Sequence, residues 1–149
     1  MFLNPRSHTK LHEVKILNGA VINSSFLRQL KTRALAWLPA VILMAAIFGF
    51  SAMPADALPS FNWADLLVKK GAHMLGYGLL ALAYLYAFQL DSANLKVAWL
   101  LALLYAISDE YHQGFVPGRN GTWIDVVIDG AGAALALAWV KRKLPRFFS

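Results

Sequence analysis

Four long stretches almost free of charge govern what this chain can fold into. Twenty-two uncharged residues separate Arg33 from Asp56, and the run Ala34 to Met53 lies inside them. Twenty more, Gly71 to Leu90, separate Lys70 from Asp91. Leu95 to Gln113 and Trp123 to Val140 complete the set, and each carries two acids near one end. A helix rises about 1.5 Å per residue, so about 20 residues cross a hydrocarbon layer of roughly 30 Å. The pattern predicts four transmembrane helices. Of the 149 residues 58% are hydrophobic and 15% charged, whereas a soluble domain carries about 25% charged residues. That composition excludes a soluble globule, a disordered chain and a collagen-like one. The chain has no cysteine, which excludes disulfides, thiol catalysis and Cys-ligated metal.

The connections between blocks carry turn chemistry: Met53-Pro54-Ala55, Leu58-Pro59-Ser60, the polar Asp91 to Asn94, Val116-Pro117-Gly118 and Asn120-Gly121-Thr122. Arg6, Lys10, Lys15, Arg28, Lys31 and Arg33 precede the first block, and Lys141, Arg142, Lys143 and Arg146 follow the last. Basic ends that flank apolar spans stay at the cytoplasmic face. The expectation is therefore an all-α, integral membrane four-helix transmembrane bundle with both termini cytoplasmic, a multi-pass protein of the cell membrane. Its organisation reads as a basic cytoplasmic segment 1–33, a four-helix transmembrane domain 34–140 and a basic cytoplasmic tail 141–149. Topology accounts for the net charge of +6, so the expected partners are membrane lipids and not nucleic acid. Residues 1–33 read as a flexible basic tail on anionic headgroups, each basic residue contributing about 1 kcal/mol. Leu11, Val14, Leu17 and Val21 offer an interfacial helix as the alternative.

In this topology the polar residues of separate spans meet at one outer level. Lys70, His73 and Tyr77 share a face of the second span, at offsets of 3 and 7. Asp109 and Gln113 share a face of the third with Glu110 beside it, and Asp125 and Asp129 share one on the fourth. The loop between the last two spans adds His112 and Arg119. A carboxylate at that depth costs a few kcal/mol, so it must face the bundle, pair or be protonated. Ordinary structural roles compete with function here. Lys69 can snorkel, Tyr77 can pack, Trp63 and Trp123 can anchor the interface, and Glu110 with Arg119 can close the loop as an ion pair. His8 and His12 lie in the tail without a role. Small residues four apart, Ala72/Gly76, Gly130/Ala134 and Gly132/Ala136, suit close helix packing.

The run Glu110-Tyr111-His112-Gln113-Gly114-Phe115-Val116-Pro117-Gly118-Arg119, followed by Asp125 and Asp129-Gly130, resembles the VanZ-like family of small membrane proteins. That family shows Glu-x-x-Gln, Phe-x-Pro-x-Arg, an Asp and then Asn-x-x-Gly. Lys70-x-x-His73-x-x-x-Tyr77 is similar to its earlier motif, and Phe50-Ser51 to the end of its first helix. The resemblance covers about residues 36–140, and Asp129 stands where the family usually has Asn. It implies a bacterial envelope protein associated with resistance to the glycopeptide teicoplanin.

Two functional readings follow. In the first, Lys70, His73, Tyr77, Glu110, Gln113, Arg119, Asp125 and Asp129 form a pocket for an anionic lipid-linked envelope precursor or a lipophilic glycopeptide. Lys70 and Arg119 hold the headgroup, Arg as a planar fork and Lys as a point charge, while Glu110, Gln113 and Asp125 orient them. In the second, the protein is a membrane-embedded enzyme. His73 with Glu110 or Asp109 then supplies acid–base chemistry on a lipid headgroup. A metal on His73, Glu110, His112 and Asp125 is chemically admissible, although no cofactor is called for, and Ser108 lacks the signs of an activated nucleophile. A transporter ranks last, because the polar groups stop at one leaflet. Oligomeric state is not legible.

Overall fold

A computed structural model describes residues 14–17, 20–57 and 64–143. The expectations placed on Arg6, His8, Lys10, Leu11, His12, Pro59, Trp63 and Arg146 fall outside the described residues. The chain divides into two compact units, Met1–Leu35 and Ala36–Ser149.

The first unit departs from the tail or single interfacial helix expected of residues 1–33. Strands β1 (Val14–Leu17) and β2 (Ala20–Asn23) pair antiparallel, with Val14 opposite Asn23 and Leu17 opposite Ala20. Helix α1 (Ser24–Leu35) follows directly. In sequence Asn18-Gly19 lies between the strands, and Asn-Gly is the dipeptide that best fits a two-residue hairpin turn. The strands stand where the loose helical spacing of Val14, Leu17 and Val21 offered a helix.

Among its described residues, all regular secondary structure of the second unit is helical. It contains α2 (Leu38–Ser51), α3 (Asp65–Ala87), α4 (Leu95–Gln113) and α5 (Trp123–Lys143), with one-turn 3-10 segments at Ala55–Ala57 and Ser92–Asn94. The third and fourth apolar blocks match α4 and α5 closely. The first block is interrupted at residues 36–37, because Pro39 sits in the opening turn of α2, where a missing N–H costs nothing. α3 starts earlier than its apolar block, with Lys69 and Lys70 already helical. It also ends earlier. Gln89 and Leu90 turn left-handed, at φ 60° and 58°, and the Leu90 N–H closes back on the Leu85 carbonyl at 2.9 Å.

Alanine builds the core. Ala98, Ala102 and Ala106 form one buried stripe along α4, facing Leu80, Ala81 and Leu85 of α3 and Ala133 and Leu137 of α5 in a single cluster. Without bulky side chains the helices approach closely. The extreme is at Gly132, where an added Cβ would meet the Met74 carbonyl oxygen and lie 2.8 Å from Met74 Cγ. Tyr105 and Tyr84 tie α2 to the bundle, their hydroxyls reaching the Met44 carbonyl (2.7 Å) and sulfur (3.2 Å). The outward faces are apolar: Leu75 is 65% exposed, Leu135 60% and Trp139 63%. Two helical stretches, Ser25–Ser51 and Trp123–Lys143, are long and apolar enough to cross a membrane.

Candidate binding site at the polar end of the bundle

The alanine stripe of α4 does not end in another apolar residue. Continued by a turn, it becomes Asp109, Glu110 and Gln113, all buried. A helix that buries small residues along most of its length thus delivers three polar side chains to the interior at one end. Buried polar groups need partners, and the other helices supply several of them.

One network runs from α4 to the end of α2. The Ser51 hydroxyl, 1% exposed, donates to Asp109 Oδ2 at 2.7 Å. Gln113 Nε2 donates to the same oxygen at 3.1 Å and to Ser51 Oγ at 3.2 Å. Gln113 Oε1 in turn accepts from Arg119 Nη1 at 3.2 Å. The guanidinium spreads its remaining reach over backbone, with Nε to the Met53 carbonyl at 3.0 Å and Nη2 to the Phe50 carbonyl at 2.9 Å. These carbonyls lie at the C-terminal end of α2, where a cation also complements the helix dipole. Gly118, at φ +73°, and the Ala55 N–H bond to the Pro117 carbonyl (3.3 Å) hold the loop so that Arg119 can fold back.

A second network joins α3, α4 and α5. Lys70 Nζ pairs with Asp125 Oδ1. The Thr122 hydroxyl donates to Asp125 Oδ2 at 2.8 Å and accepts from the Asp125 N–H at 3.3 Å, half of a capping box at the start of α5. The Thr122 N–H, which the box would give to the fourth residue, goes to Glu110 Oε2 at 2.9 Å. Deeper in, His73 Nδ1 approaches Asp129 Oδ2 at 3.6 Å. Asp109 Oδ1, both oxygens of Asp129 and the Tyr77 hydroxyl are buried without a hydrogen-bond partner.

These groups enclose space. A cavity of about 160 Å³ is lined by Lys69, Lys70, His73, Glu110, Gln113, Arg119, Asp125, Ile128 and Asp129. A larger one of about 440 Å³ shares Lys69, His73, Gln113 and Arg119 and adds Phe50, Ala72 and the Gly118–Asn120 loop. A third, about 270 Å³ and apolar, runs between α2 and α3 past Leu43, Ile47, Phe50, Gly76 and Tyr77, and it too touches His73.

The eight residues predicted to converge are thus brought together, seven on the polar cavity and Tyr77 on the apolar one. Their partners differ from expectation in two places. Glu110 takes the Thr122 N–H, while Arg119 turns to Gln113 and to the backbone of Phe50 and Met53. The metal set considered with His112 and Asp125 is not assembled: His112 stacks on Phe48, ring centroids 4.6 Å apart, and Asp125 is engaged by Lys70 and Thr122. The donors that do gather, within 4.8 Å of one another, are His73, Asp109 and Glu110. Ser108 is exposed, on the wrong side of α4 for the cavity. Two residues of the site went unpredicted. Thr122 was findable, since Thr-x-x-Asp before an apolar run is a helix-start signature. Ser51 carried only its place in the resemblance.

Residues 20–144 match the family model described as VanZ/LLP1. No curated protein and no solved structure matches the chain.

Proposed function

The chain belongs to the VanZ/LLP1 family, and from that premise we propose that it is a multi-pass cell-membrane protein whose polar pocket holds the anionic head of a lipid-linked or lipophilic ligand. In this reading four spans cross the bilayer, the first over residues 34–53 and the others with α3, α4 and α5, both termini are cytoplasmic, and the pocket opens at the outer leaflet. The observation that carries it is the junction at His73. There a cavity edged by Lys69, Lys70 and Arg119 meets an apolar groove between α2 and α3. A charged head with a hydrocarbon tail is the kind of molecule that fits both compartments at once. Lys70 and Arg119 are held in place by Asp125 and Gln113, so little side-chain freedom is lost on binding. Phosphate is the favoured head, because Arg and Lys are its usual protein partners. An envelope precursor carried on a lipid and a lipophilic glycopeptide such as teicoplanin are the candidate ligands.

Binding of a polyprenyl phosphate and of the uncharged polyprenol to the protein in nanodiscs tests this directly. One charge-assisted contact contributes about 1.5–3 kcal/mol, so the phosphate should bind ten- to a hundredfold tighter. Arg119→Ala or Lys70→Met should remove that preference while the protein still inserts. Equal affinity for the two lipids in the wild type refutes the pocket. Because the chain has no cysteine, single replacements report topology cleanly. An impermeant maleimide should label Asn120→Cys in intact cells and Ser92→Cys only after permeabilisation; the reverse pattern refutes the orientation.

A second reading, acid–base chemistry on the headgroup, is favoured by the approach of His73 to Asp129 beside Asp109 and Glu110. Turnover of the same lipid phosphate, abolished by His73→Gln, would distinguish it from binding alone.

A further inference from the structure

Beside the pocket, buried carboxylate oxygens stand without hydrogen-bond partners, and this feature is independent of any lipid. Asp109 is 3% exposed, Glu110 7% and Asp129 1%. Asp109 Oδ1 and both oxygens of Asp129 have no hydrogen-bond partner. Lys70 is engaged by Asp125, and His73 faces Asp129. Leaving such groups dry and uncompensated is costly.

The way the carboxylates are held is equally telling. On Asp109 one oxygen, Oδ2, takes two donors, Ser51 and Gln113, while Oδ1 is buried with none. On Glu110 the Thr122 N–H fixes Oε2. Hydrogen bonds to one oxygen that leave the other free are how proteins orient metal-binding carboxylates. One ligand atom each from His73, Asp109 and Glu110 lies within 4.8 Å of the other two. Donors around a single ion at about 2.0–2.2 Å lie roughly 3–4 Å apart, so a small inward rotation of these side chains closes the set on one ion.

We propose that His73, Asp109 and Glu110 form a binding site for one divalent cation, whose two charges the two carboxylates balance, with Asp129 beside His73 Nδ1. The mixed imidazole and carboxylate donors select an ion of the zinc or manganese class over calcium or magnesium, which take oxygen alone. The three ligands come from two helices, α3 and α4, and no thiol is involved. His73 and Glu110 also line the polar cavity, so the cation lies beside the cationic rim formed by Lys70 and Arg119.

The test counts metal and uses no lipid ligand, so its outcome is separate from that of the headgroup reading. Full-length protein in detergent is stripped with chelator, equilibrated with Zn²⁺ or Mn²⁺ and desalted, and the metal is measured by plasma mass spectrometry. About one equivalent per chain is expected for the wild type and for Ser108→Ala. Less than a tenth of that is expected for His73→Ala and for the isosteric Asp109→Asn. Co²⁺ loading should give visible ligand-field bands that the same two variants lack. Helical circular dichroism and a monodisperse elution profile establish that a variant is folded, and Glu110→Gln replaces any that is not. A wild type without stoichiometric metal overturns the site, as does a folded His73→Ala that keeps it.

Discussion

Gly132→Ala is the sharpest test of how the bundle is held together. The new Cβ would collide with the Met74 carbonyl oxygen and lie 2.9 Å from the Met74 carbonyl carbon, whereas ordinary contact begins at 3.4 Å. The gap must therefore open by about 0.5 Å at the carbon alone and by more at the oxygen. The obstructing atoms are backbone of α3, which no side-chain rotation relieves. Overpacking costs about 1–3 kcal/mol, and a backbone clash belongs at the top of that range, about 3 kcal/mol. At about 2–4 °C per kcal/mol for a chain of this size, the melting temperature should fall by about 6–12 °C. The neighbouring glycines calibrate the result. A Cβ on Gly78 meets the Gly132 carbonyl oxygen at 3.3 Å and Ala136 Cβ at 3.4 Å, and one on Gly71 meets nothing within 4 Å. Gly78→Ala should cost about 1 kcal/mol, and Gly71→Ala should be neutral or stabilising by about 0.5–1 kcal/mol, since alanine suits a helix better. The assay is thermal unfolding of the three variants in one detergent, followed by size-exclusion recovery. A Gly132→Ala protein as stable as wild type, or a Gly71→Ala protein equally damaged, would refute the close approach of α3 and α5.

Two further predictions bear on the site. Ser51→Ala removes a buried donor from Asp109 Oδ2 and leaves Gln113 as its remaining donor. It should destabilise the protein by about 1–3 kcal/mol, the cost of an underserved buried acceptor, and Ser51→Thr should restore most of that; a neutral Ser51→Ala argues against the network. Arg119→Lys keeps the charge but cannot span Gln113, Met53 and Phe50 together. Limited proteolysis in detergent should then cut residues 114–122 at least tenfold faster, and an unchanged rate would remove the clasp.

The sequence was most informative where a single helix decides the outcome. Uncharged block length located the helical regions, and α4 and α5 start where the chain changes character. The spacing of Lys70, His73 and Tyr77, and of Asp109 and Gln113, assigned each group to a face. The faces converge because the same helices bury alanine on the continuation of those stripes. Boundaries set by local backbone were harder. The end of α3 is made by Gln89 and Leu90 in a left-handed conformation, a position that usually announces itself with Gly or Asn. The break before α2 was signalled by Pro39 but hidden inside an unbroken apolar run.

Pairing was the least legible level, and the reason is geometric. A 3.6-residue period gives the relative directions of side chains on one helix, not the rotation of that helix against its neighbours. Lys70, His73 and Arg119 were all admissible partners for four acids. Packing at Gly132 sets how closely α5 lies on α3, and so brings Asp125 to Lys70 and Asp129 to His73. Arg119, drawn to the carbonyls closing α2, leaves Glu110 to the N-terminus of α5. The surplus of buried carboxylate at Asp109 and Asp129 follows from that division, because the one loop cation is spent on backbone. Close packing by small residues and the unsatisfied floor of the pocket are therefore linked. A change that relaxes the α3–α5 contact should loosen the polar site even though Gly132 lines none of its charged surface.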